Sequence, residues 1–228
     1  MLTYMPVNFF KIWKPLYDLA VTGELQNTCR VLELGAGPGT ATMGLISFFS
    51  ELANSNPEMP FKLDITAIER ESSFRPIFED LTGQLSKACP SNLSIECRLI
   101  EADAFDAVPA YDQQYDLIIE SNMLNASEGI GAQTIDKFAR VLSKTIGDQG
   151  TVILIEPGTR DDKEYLTQFE THVSHEKIAD QYISPKILAL NIAGISLYQE
   201  AISAGLRGSR KTEHWFSYLV MRKRADLF

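Results

Sequence analysis

Cysteine is scarce in this 228-residue chain, and its scarcity bears on several classes of site. The three cysteines (Cys29, Cys89 and Cys97) are odd in number and unrelated in spacing. A disulfide framework needs pairs, and a structural metal site needs closely spaced ligands, so neither is indicated. We therefore expect reduced, buried thiols and no metal site.

The chain also lacks a long apolar run. No stretch approaches the roughly 18 apolar residues of a membrane span, and Lys11, Lys14 and Asp18 interrupt the amino-terminal segment. No membrane helix and no signal peptide are predicted. The expectation is a cytoplasmic protein with no membrane partner.

Positive charge is in the minority. The 21 lysines and arginines face 30 aspartates and glutamates, which gives a net charge of −9. A broad acidic surface repels phosphate backbones, so nucleic acid is disfavoured as a partner. One basic group near the carboxyl terminus keeps an RNA-associated role open as an alternative. It consists of Arg207, Arg210, Lys211, Arg222, Lys223 and Arg224.

Length and composition predict one α/β domain with a sizeable core. Apolar runs alternate with helix-like segments at short spacing, which is typical of a Rossmann-like, doubly wound, mostly parallel sheet. Residues 1–28 are predicted to form a helical cap or lid, and residues 29–228 to form a cofactor-binding domain. Strands are predicted at Val31–Leu34, Leu63–Ile68, Ile95–Ile100, Tyr115–Ile119, Thr151–Ile155 and Trp215–Met221. Helices are predicted at Leu16–Thr22, Thr40–Leu52, Ser72–Ala88, Thr134–Ile146, Asp162–Lys177 and Pro185–Ala204.

Two of these predictions concern the carboxyl-terminal half. The segment Trp215–Met221 is apolar on nearly both faces, so it should lie inside the sheet. The helix that begins at Thr134 is expected to end at Gly147, and no strand is predicted between residues 160 and 212.

The most informative stretch runs from Arg30 to Gly39, as Arg-Val-Leu-Glu-Leu-Gly-Ala-Gly-Pro-Gly. Glycine lets the backbone adopt positive φ and approach a ligand closely, so such a loop between a strand and a helix predicts a nucleotide-cofactor cradle. A dinucleotide fingerprint would need glycine at position 40, and a P-loop would need G-K-[ST] after the glycines; neither pattern is present. The predicted cradle residues are Glu33, Gly35, Ala36, Gly37, Gly39 and Thr40.

The Glu33-x-Gly-x-Gly-x-Gly39 pattern resembles the first motif of class I S-adenosylmethionine-dependent methyltransferases, and residues 30–158 resemble their core. The resemblance implies a methyltransferase that uses S-adenosyl-L-methionine as its cofactor and a small-molecule or peptide acceptor as its substrate. It also implies that the glycine loop faces the amino-acid part of the cofactor.

Polar residues stand at the ends of three further predicted strands, where ligands bind in open α/β sheets. Glu69 can accept hydrogen bonds from both ribose hydroxyls, and Asp103 can accept one from the adenine amino group. The backbone N–H of Ala104 can donate to the adenine, and Phe105 can pack on it. Each acid alone is also compatible with a solvated loop position; their recurrence favours a site. The predicted cofactor-binding residues beyond the cradle are Glu69, Arg70, Asp103, Ala104, Phe105, Glu120 and Ser121.

A second, finer resemblance is to the methyltransferase-like proteins of the mitochondrial ribosomal small subunit and their bacterial relatives. It is carried by Leu34–Thr40, Ser121–Asn125, Ile153–Thr159 and Phe216–Val220. It implies an alternative function, a ribosome-assembly protein that binds S-adenosylmethionine in association with rRNA. That family carries a cysteine cluster after its Glu-Pro-Gly motif, whereas no cysteine follows Cys97 here.

Two signatures of nucleotide methylation are missing. The fourth strand ends in Ser121-Asn-Met-Leu rather than Asn/Asp-Pro-Pro-Tyr, which disfavours an exocyclic-amine methylase. No Pro-Cys dipeptide supplies the nucleophile of cytosine C5 methylation. Acceptor alignment and proton removal would then fall to a few candidates, because the sulfonium already makes the methyl group electrophilic. The predicted catalytic residues are Glu156, Asn122 and His172.

Other interpretations stay open. His172 and His175 are three residues apart and can share a helix face, but a metal pair there has no third ligand. A sulfonium-dependent reaction other than methyl transfer fits the same cradle, and an assembly of two copies is not excluded.

Two regions around the cradle carry further expectations. The amino-terminal aromatic residues either close over substrate or pack on the sheet, and packing is favoured. Gly37 should lie where the backbone passes closest to the cofactor. Gly44 falls inside the next helix, where alanine is expected to be tolerated. The aromatic residues are Tyr4, Phe9, Phe10, Trp13 and Tyr17.

Overall fold

The computed structural model describes residues 5–106, 113–123, 132–157, 166–169, 186–191 and 213–223. Within these ranges the chain has the predicted α/β fold, with a seven-stranded sheet. The helices are α1 (Met5–Lys11), α2 (Trp13–Val21), α3 (Thr40–Ser55), α4 (Arg75–Lys87, preceded by a 3₁₀ turn at Ser72–Phe74) and α5 (Ala132–Thr145). The strands are β1 (Thr28–Leu34), β2 (Phe61–Glu69), β3 (Leu93–Glu101), β4 (Tyr115–Ser121), β5 (Ile146–Pro157), β6 (Lys186–Asn191) and β7 (Glu213–Arg222).

The strand order of the sheet is β3-β2-β1-β4-β5-β7-β6. The first five strands run parallel, and β7 lies antiparallel between β5 and β6. The chain winds outward from β1 to β3 and then returns to place β4 on the other side of β1. In an open α/β sheet, a crevice forms at the carboxyl ends of the strands where the winding reverses. The topology therefore places this crevice at the carboxyl ends of β1 and β4.

Helices cover both faces of the sheet, so its central strands are apolar on both sides. One face packs against α2 and α3, and the other against α5. On the first face the core includes Val31, Leu45, Phe49, Ile119 and Ile153. On the second face it includes Leu32, Ile118, Phe138, Leu142 and Leu154.

The amino-terminal helices are part of this core. Ile12 and Leu16 are fully buried in the cluster that surrounds α3. The indole Nε1 of Trp13 donates a hydrogen bond to the carbonyl oxygen of Gly44 at 3.0 Å, and the Trp13 ring meets Phe48 edge to face. This arrangement agrees with the packing interpretation for Phe10 and Trp13, whereas Tyr17 is exposed and Tyr4 lies outside the described residues.

The expectation that Gly44 tolerates alanine is wrong. A Cβ atom on Gly44 would lie 2.3 Å from the carbonyl oxygen of Phe9 and 2.6 Å from a side-chain carbon of Ile12. Because the nearer of these atoms belongs to the backbone of α1, it cannot rotate away. Gly44 is therefore a point of close approach between α1 and α3.

A second contact links the amino-terminal helices to the far part of the sheet. The hydroxyl of Tyr218 in β7 donates to Asp18 Oδ2 in α2 at 2.9 Å. Burial raises the pKa of Tyr218 above its ordinary value, and the adjacent Asp18 carboxylate raises it further. The hydroxyl consequently stays protonated and remains a donor at physiological pH.

Two predicted helices are wrong in part. Ile146 begins β5 rather than ending the helix, because α5 ends at Thr145 and Ile146 pairs with Tyr115 of β4. Residues 186–191 form strand β6 rather than part of a helix. Leucine and alanine favour a helix in this segment, but pairing with the edge of β7 satisfies the backbone N–H and C=O groups of both strands. The strand pairing therefore outweighs the local helix propensity. The segment 166–169 is helical as predicted, and the rest of Asp162–Lys177 lies outside the described residues.

We predict that Gly44→Ala lowers the free energy of unfolding by roughly 1–3 kcal/mol, because the added methyl group overpacks the α1–α3 contact. Gly83→Ala is the matched control, since Gly83 also lies inside a helix but a Cβ there meets nothing within 4 Å. The control should be neutral or more stable by up to about 1 kcal/mol. Denaturant unfolding of both variants measures this, and equal stabilities would contradict the docking.

Candidate functional site

A cavity of about 660 Å³ opens at the carboxyl ends of the parallel strands. Residues from the loops after β1, β2, β3 and β4 line it, so it lies at the point where the winding of the sheet reverses. Seven of the sequence-predicted site residues line it: Gly35, Glu69, Arg70, Asp103, Ala104, Phe105 and Asn122. Five further lining residues are Ile68, Glu71, Phe74, Ala102 and Met123.

The glycine loop between β1 and α3 needs its glycines. Gly35, Gly37 and Gly39 have φ angles of 67°, 54° and 86°, a region that residues with a Cβ atom rarely adopt. A Cβ on Gly35 would strike Met123, and one on Gly39 would strike Phe78. A Cβ on Gly37 would meet no protein atom within 4 Å. The loop is therefore shaped as a cradle that leaves space beside Gly37.

Three of the loop's N–H groups are engaged within the protein. Ala36 N–H donates to the Ile68 carbonyl at 3.0 Å, and Gly39 N–H donates to the Ala36 carbonyl at 2.9 Å. Gly37 N–H donates to Glu69 Oε2 at 2.8 Å. These bonds fix the loop's shape without help from a ligand.

Glu69 links this loop to the end of β2. Its Oε2 atom accepts from Gly37, and its Oε1 atom accepts from Glu71 N–H at 2.9 Å. The side chain is largely buried but lines the cavity. A carboxylate oxygen has two lone pairs, so these bonds leave capacity for hydroxyl donors from a ligand.

Glu33 is buried beneath the cradle rather than on the cavity wall. Its Oε2 accepts from the backbone N–H of Thr42 at 3.0 Å and from the Thr42 hydroxyl. The pKa of Glu33 is raised from 4.5 to about 7, mainly by burial and to a smaller extent by the nearby Glu69 charge, against the lowering effect of the Thr42 hydrogen bonds. Glu33 therefore anchors the start of α3 to the end of β1.

The loop after β3 forms one wall of the cavity. Asp103 Oδ1 accepts from the N–H of Phe105 at 2.8 Å, which stiffens the turn. Ala102 N–H donates to the Glu69 carbonyl at 3.1 Å and joins this turn to the end of β2. The Phe105 ring meets Phe138 edge to face with centroids 6.0 Å apart. An aromatic ring (Phe105), a carboxylate beside it (Asp103) and a second carboxylate that can accept from ribose hydroxyls (Glu69) could together hold an adenosine group.

The turn after β4 forms the opposite end. Asn122 has a φ angle of 61°, and its N–H donates to the Ile155 carbonyl at 2.8 Å. Its Nδ2 donates to Ser121 Oγ at 2.9 Å, while the buried Glu120 accepts from the N–H of Met123. These bonds hold Met123 over Gly35, so the end of β4 closes the cradle.

A lysine from the amino-terminal helices also reaches this end. Lys11, the last residue of α1, is only 5 % exposed. Its Nζ atom lies 3.5 Å from Asn122 Oδ1. Sequence reasoning treated Lys11 only as a charge interrupting an apolar segment, because nothing in the sequence shows that α1 packs against α3.

The remaining predicted residues lie near the cavity without lining it. Glu156, at the end of β5, is almost fully buried and follows Ile155, whose carbonyl accepts from Asn122. His172 lies outside the described residues. The predicted residues beside or beneath the cavity are Glu33, Ala36, Gly37, Gly39, Thr40, Glu120, Ser121 and Glu156.

Among the additional lining residues, Phe74 and Met123 had a sequence signal. Phe74 follows Glu69 closely at a strand-to-helix junction, and Met123 belongs to the Ser121-Asn-Met run already singled out. Among the described residues, no group of three or more His, Cys, Asp or Glu side chains is arranged to hold a metal ion. None of the helices within those ranges is long and apolar enough to cross a membrane.

None of the protein-family models matches this chain. A curated relative is Probable polyketide synthase 27 of Dictyostelium discoideum, 25 % identical over 134 residues. The aligned stretch covers 56 % of this chain and only 4 % of that protein, so the chain spans a small fraction of its length.

Solved structures match much more of the chain. A S-adenosylmethionine-dependent methyltransferase from Methanosarcina mazei aligns with a TM-score of 0.57 and 11 % identity, covering 90 % of this chain and 97 % of that one. A structure from work on the conversion of a disulfide bond into a thioacetal group in echinomycin biosynthesis aligns at 0.55 and 12 %, covering 95 % and 85 %. Precorrin 8w decarboxylase from Methanobacterium thermoautotrophicum aligns at 0.52 and 11 %, covering 90 % and 87 %.

At such low sequence identity, these structural alignments show a shared fold and nothing finer. The chain has the Rossmann-like fold of class I S-adenosylmethionine-dependent methyltransferases, which confirms the resemblance seen in its glycine motif. The finer resemblance to the mitochondrial ribosomal proteins is not shown by these similarities.

The raised pKa of Glu33 predicts a pH dependence of stability. Its folded pKa is about 7 against 4.5 for an exposed glutamate, so the folded state binds more protons between these values. The stabilising contribution is complete below pH 4.5 and is lost as pH rises through about 7. Glu33→Gln keeps an acceptor for Thr42 without a titrating proton. We expect the wild type to lose on the order of 2–3 kcal/mol relative to this variant between pH 4.5 and 8.

Urea unfolding of both proteins across that pH range measures the difference. In the difference between the two free energies of unfolding at each pH, the contributions of titrating groups that both proteins share cancel. Parallel pH profiles would contradict the buried, protonatable Glu33.

Proposed function

We propose that the chain is an S-adenosylmethionine-dependent methyltransferase that acts on a small-molecule or peptide acceptor. One observation carries the proposal: Gly35 of the glycine loop, Glu69 and the Asp103–Phe105 wall line a single cavity at the end of the parallel strands. The fold alone would not distinguish among nucleotide cofactors. The positive φ at the loop glycines, with Glu69, Glu71 and Asp103 against the single cation Arg70 among the lining residues, favours a cationic sulfonium nucleoside over a pyrophosphate.

The residues present fit this cofactor. Glu69 would accept from the ribose hydroxyls, and Asp103, the Ala104 N–H and Phe105 would hold the adenine. The glycine loop and the turn at Asn122 would lie along the amino-acid part. When bound, the cofactor supplies an electrophilic methyl group, and the chain's own residues hold the acceptor in line with it and keep water out.

The class of acceptor is inferred from the names of similar proteins and from the net charge. The names of two similar proteins concern a polyketide synthase and echinomycin biosynthesis, which favours a small natural-product-like molecule over nucleic acid. The net charge of −9 points the same way. A cytoplasmic location, an assembly of two copies and a lid role for residues 1–28 stay predictions from the sequence.

Glu156 is the proposed proton acceptor. It is buried at the end of β5, one residue beyond the carbonyl that holds the Asn122 turn. A general base must lie within hydrogen-bond reach of the proton that it removes. Asn122, which lines the cavity, would orient the acceptor, and a contribution from His172 stays a prediction.

A second candidate is another reaction of the same cofactor. One of the proteins with this fold is named a decarboxylase, so the fold is compatible with chemistry beyond methyl transfer. The two candidate reactions share the cofactor site and differ in the substrate that binds beside Asn122.

Calorimetric titration with S-adenosylmethionine, S-adenosylhomocysteine and NAD tests the proposal. We expect binding of the first two and none of NAD, because the loop lacks the dinucleotide pattern. Binding of NAD, or of neither sulfur nucleoside, would sink the proposed function.

Gly37→Val should abolish binding of S-adenosylhomocysteine, because its side chain would fill the open space beside the loop. Gly23→Val is the matched control: Gly23 also has positive φ and open surroundings but lies at the end of α2, away from the cavity. Both variants should lose about 1–2 kcal/mol of stability to backbone strain, and only the first should lose binding. Calorimetry and thermal melting measure the two effects. Normal binding by Gly37→Val would remove the cradle assignment.

Glu69→Ala should weaken S-adenosylhomocysteine binding by roughly 1.5–3 kcal/mol, as expected for hydrogen bonds to a charged group. It also releases Gly37 N–H, which adds to the loss. Glu101→Ala is the control, because Glu101 is the register partner of Glu69 on β3 and pairs with Arg75 outside the cavity. Equal dissociation constants for the two folded variants would show that another residue holds the ribose.

A further inference from the structure

Two aromatic side chains line the cavity, Phe74 and Phe105. The core holds Phe105, whose ring meets the fully buried Phe138 edge to face. Phe74 is half-buried and is not a member of the core cluster on either face of the sheet. An aromatic ring that lines a cavity and is not committed to the core is available to a ligand, and such rings are typical of small-molecule sites.

Hydrogen bonds fix the turn that carries Phe74. The N–H of Glu71 donates to Glu69 Oε1 at 2.9 Å, and the N–H of Phe74 donates to the Glu71 carbonyl at 3.1 Å. On the other side of Phe74, the guanidinium of Arg75 donates to the Leu99 carbonyl at 3.1 Å. The turn is thereby tied to both β2 and β3, so the place of the ring at the cavity does not depend on packing in the core.

The two rings belong to the same end of the cavity. Phe74 follows β2 and Phe105 follows β3, and these neighbouring strands end in the register partners Glu69 and Glu101. The N–H of Ala102 donates to the Glu69 carbonyl at 3.1 Å, which joins the turns after the two strands. The turn after β4 forms the opposite end, so the aromatic surface of the cavity is concentrated beside β2 and β3.

This end of the cavity suits a nucleobase. A purine has two apolar π faces and an edge of hydrogen-bonding groups, and aromatic side chains that contact its faces are a main source of affinity for bases. Asp103 lines the cavity next to Phe105 and supplies a carboxylate for the edge. Glu69 lies between the two turns, where it can accept from the ribose attached to the same base.

We infer that Phe74 is a cofactor-binding residue: the adenine ring of S-adenosylmethionine packs against Phe74 as well as against Phe105. The inference rests on the proposed function, since it takes S-adenosylmethionine as the ligand. It makes the turn after β2 a source of affinity for the base, in addition to the Glu69 carboxylate that precedes it.

Replacement of the Phe74 ring tests the contact by calorimetric titration. Phe74→Ala should weaken binding of S-adenosylhomocysteine about 10-fold or more, because one aromatic contact of the base is lost. Phe74→Leu keeps apolar bulk without a flat ring and should still weaken binding about threefold or more. Phe74→Trp restores a flat ring and should keep the affinity within about threefold of the unaltered protein.

Phe74→Trp also provides a spectroscopic signature. A purine in contact with an indole ring quenches its fluorescence, so S-adenosylhomocysteine should quench this variant more strongly than the unaltered protein. The unaltered protein supplies the background from its own tryptophans, Trp13 and Trp215. A purely structural role for position 74 would not produce the additional quenching.

Tyr17→Ala is the matched control. Tyr17 is 60 % exposed on α2 and is not among the residues that line the cavity, so removal of its ring should leave the affinity unchanged. Melting temperatures check that each variant is folded. If Phe74→Ala does not fold, Phe74→Leu and Phe74→Trp carry the same test.

The outcomes separate the two claims. If the unaltered protein binds S-adenosylhomocysteine but Phe74→Ala and Phe74→Leu bind it equally well, the role of Phe74 is wrong and the proposed function stands. The same conclusion follows if Phe74→Trp binds the ligand without additional quenching. If the unaltered protein does not bind S-adenosylhomocysteine, the proposed function fails and this inference fails with it.

Discussion

The hydrogen bonds accepted by the Glu69 carboxylate are the constraint on which the site depends. One oxygen holds the N–H of Gly37 and the other holds the N–H of Glu71, so a single side chain ties the cradle after β1 to the turn after β2. The loop meets this demand only with positive φ at its glycines. Glu69 and the glycines therefore depend on each other. The Glu69 carboxylate binds the Gly37 N–H only when Gly37 has positive φ, and a residue without a side chain adopts that φ readily.

The same edge of the sheet concentrates buried carboxylates, and this has an electrostatic cost. Desolvation disfavours an ionised glutamate, which is why the pKa of Glu33 rises to about 7 despite its two hydrogen bonds from Thr42. A ligand with positive charge near these residues would offset part of that cost. The cofactor of the proposed function carries such charge, so its binding would offset part of the cost of burying Glu33.

Sequence reasoning reached the parts of the structure that local patterns determine. The strand–glycine–helix unit and the acids at strand ends are local, and the structure brings Gly35, Glu69 and Asp103 to one cavity. It failed where a distant partner decides. Strand β6 looks helical in sequence because only pairing with β7 stabilises it as a strand, and Lys11 looks like a surface charge because only the packing of α1 on α3 buries it.

The amino-terminal helices follow from the same reasoning about packing. Helix α3 begins at the cradle, contacts Glu33 through Thr42 and meets the backbone of α1 at Gly44, all within its first two turns. Swinging α1 and α2 away would expose Ile12 and Leu16 at a cost of roughly 1.5–3 kcal/mol each, besides breaking the Trp13 hydrogen bond. An open form would therefore be rare. The packing therefore makes the two helices part of the core around α3, and no described residue of either helix lines the cavity.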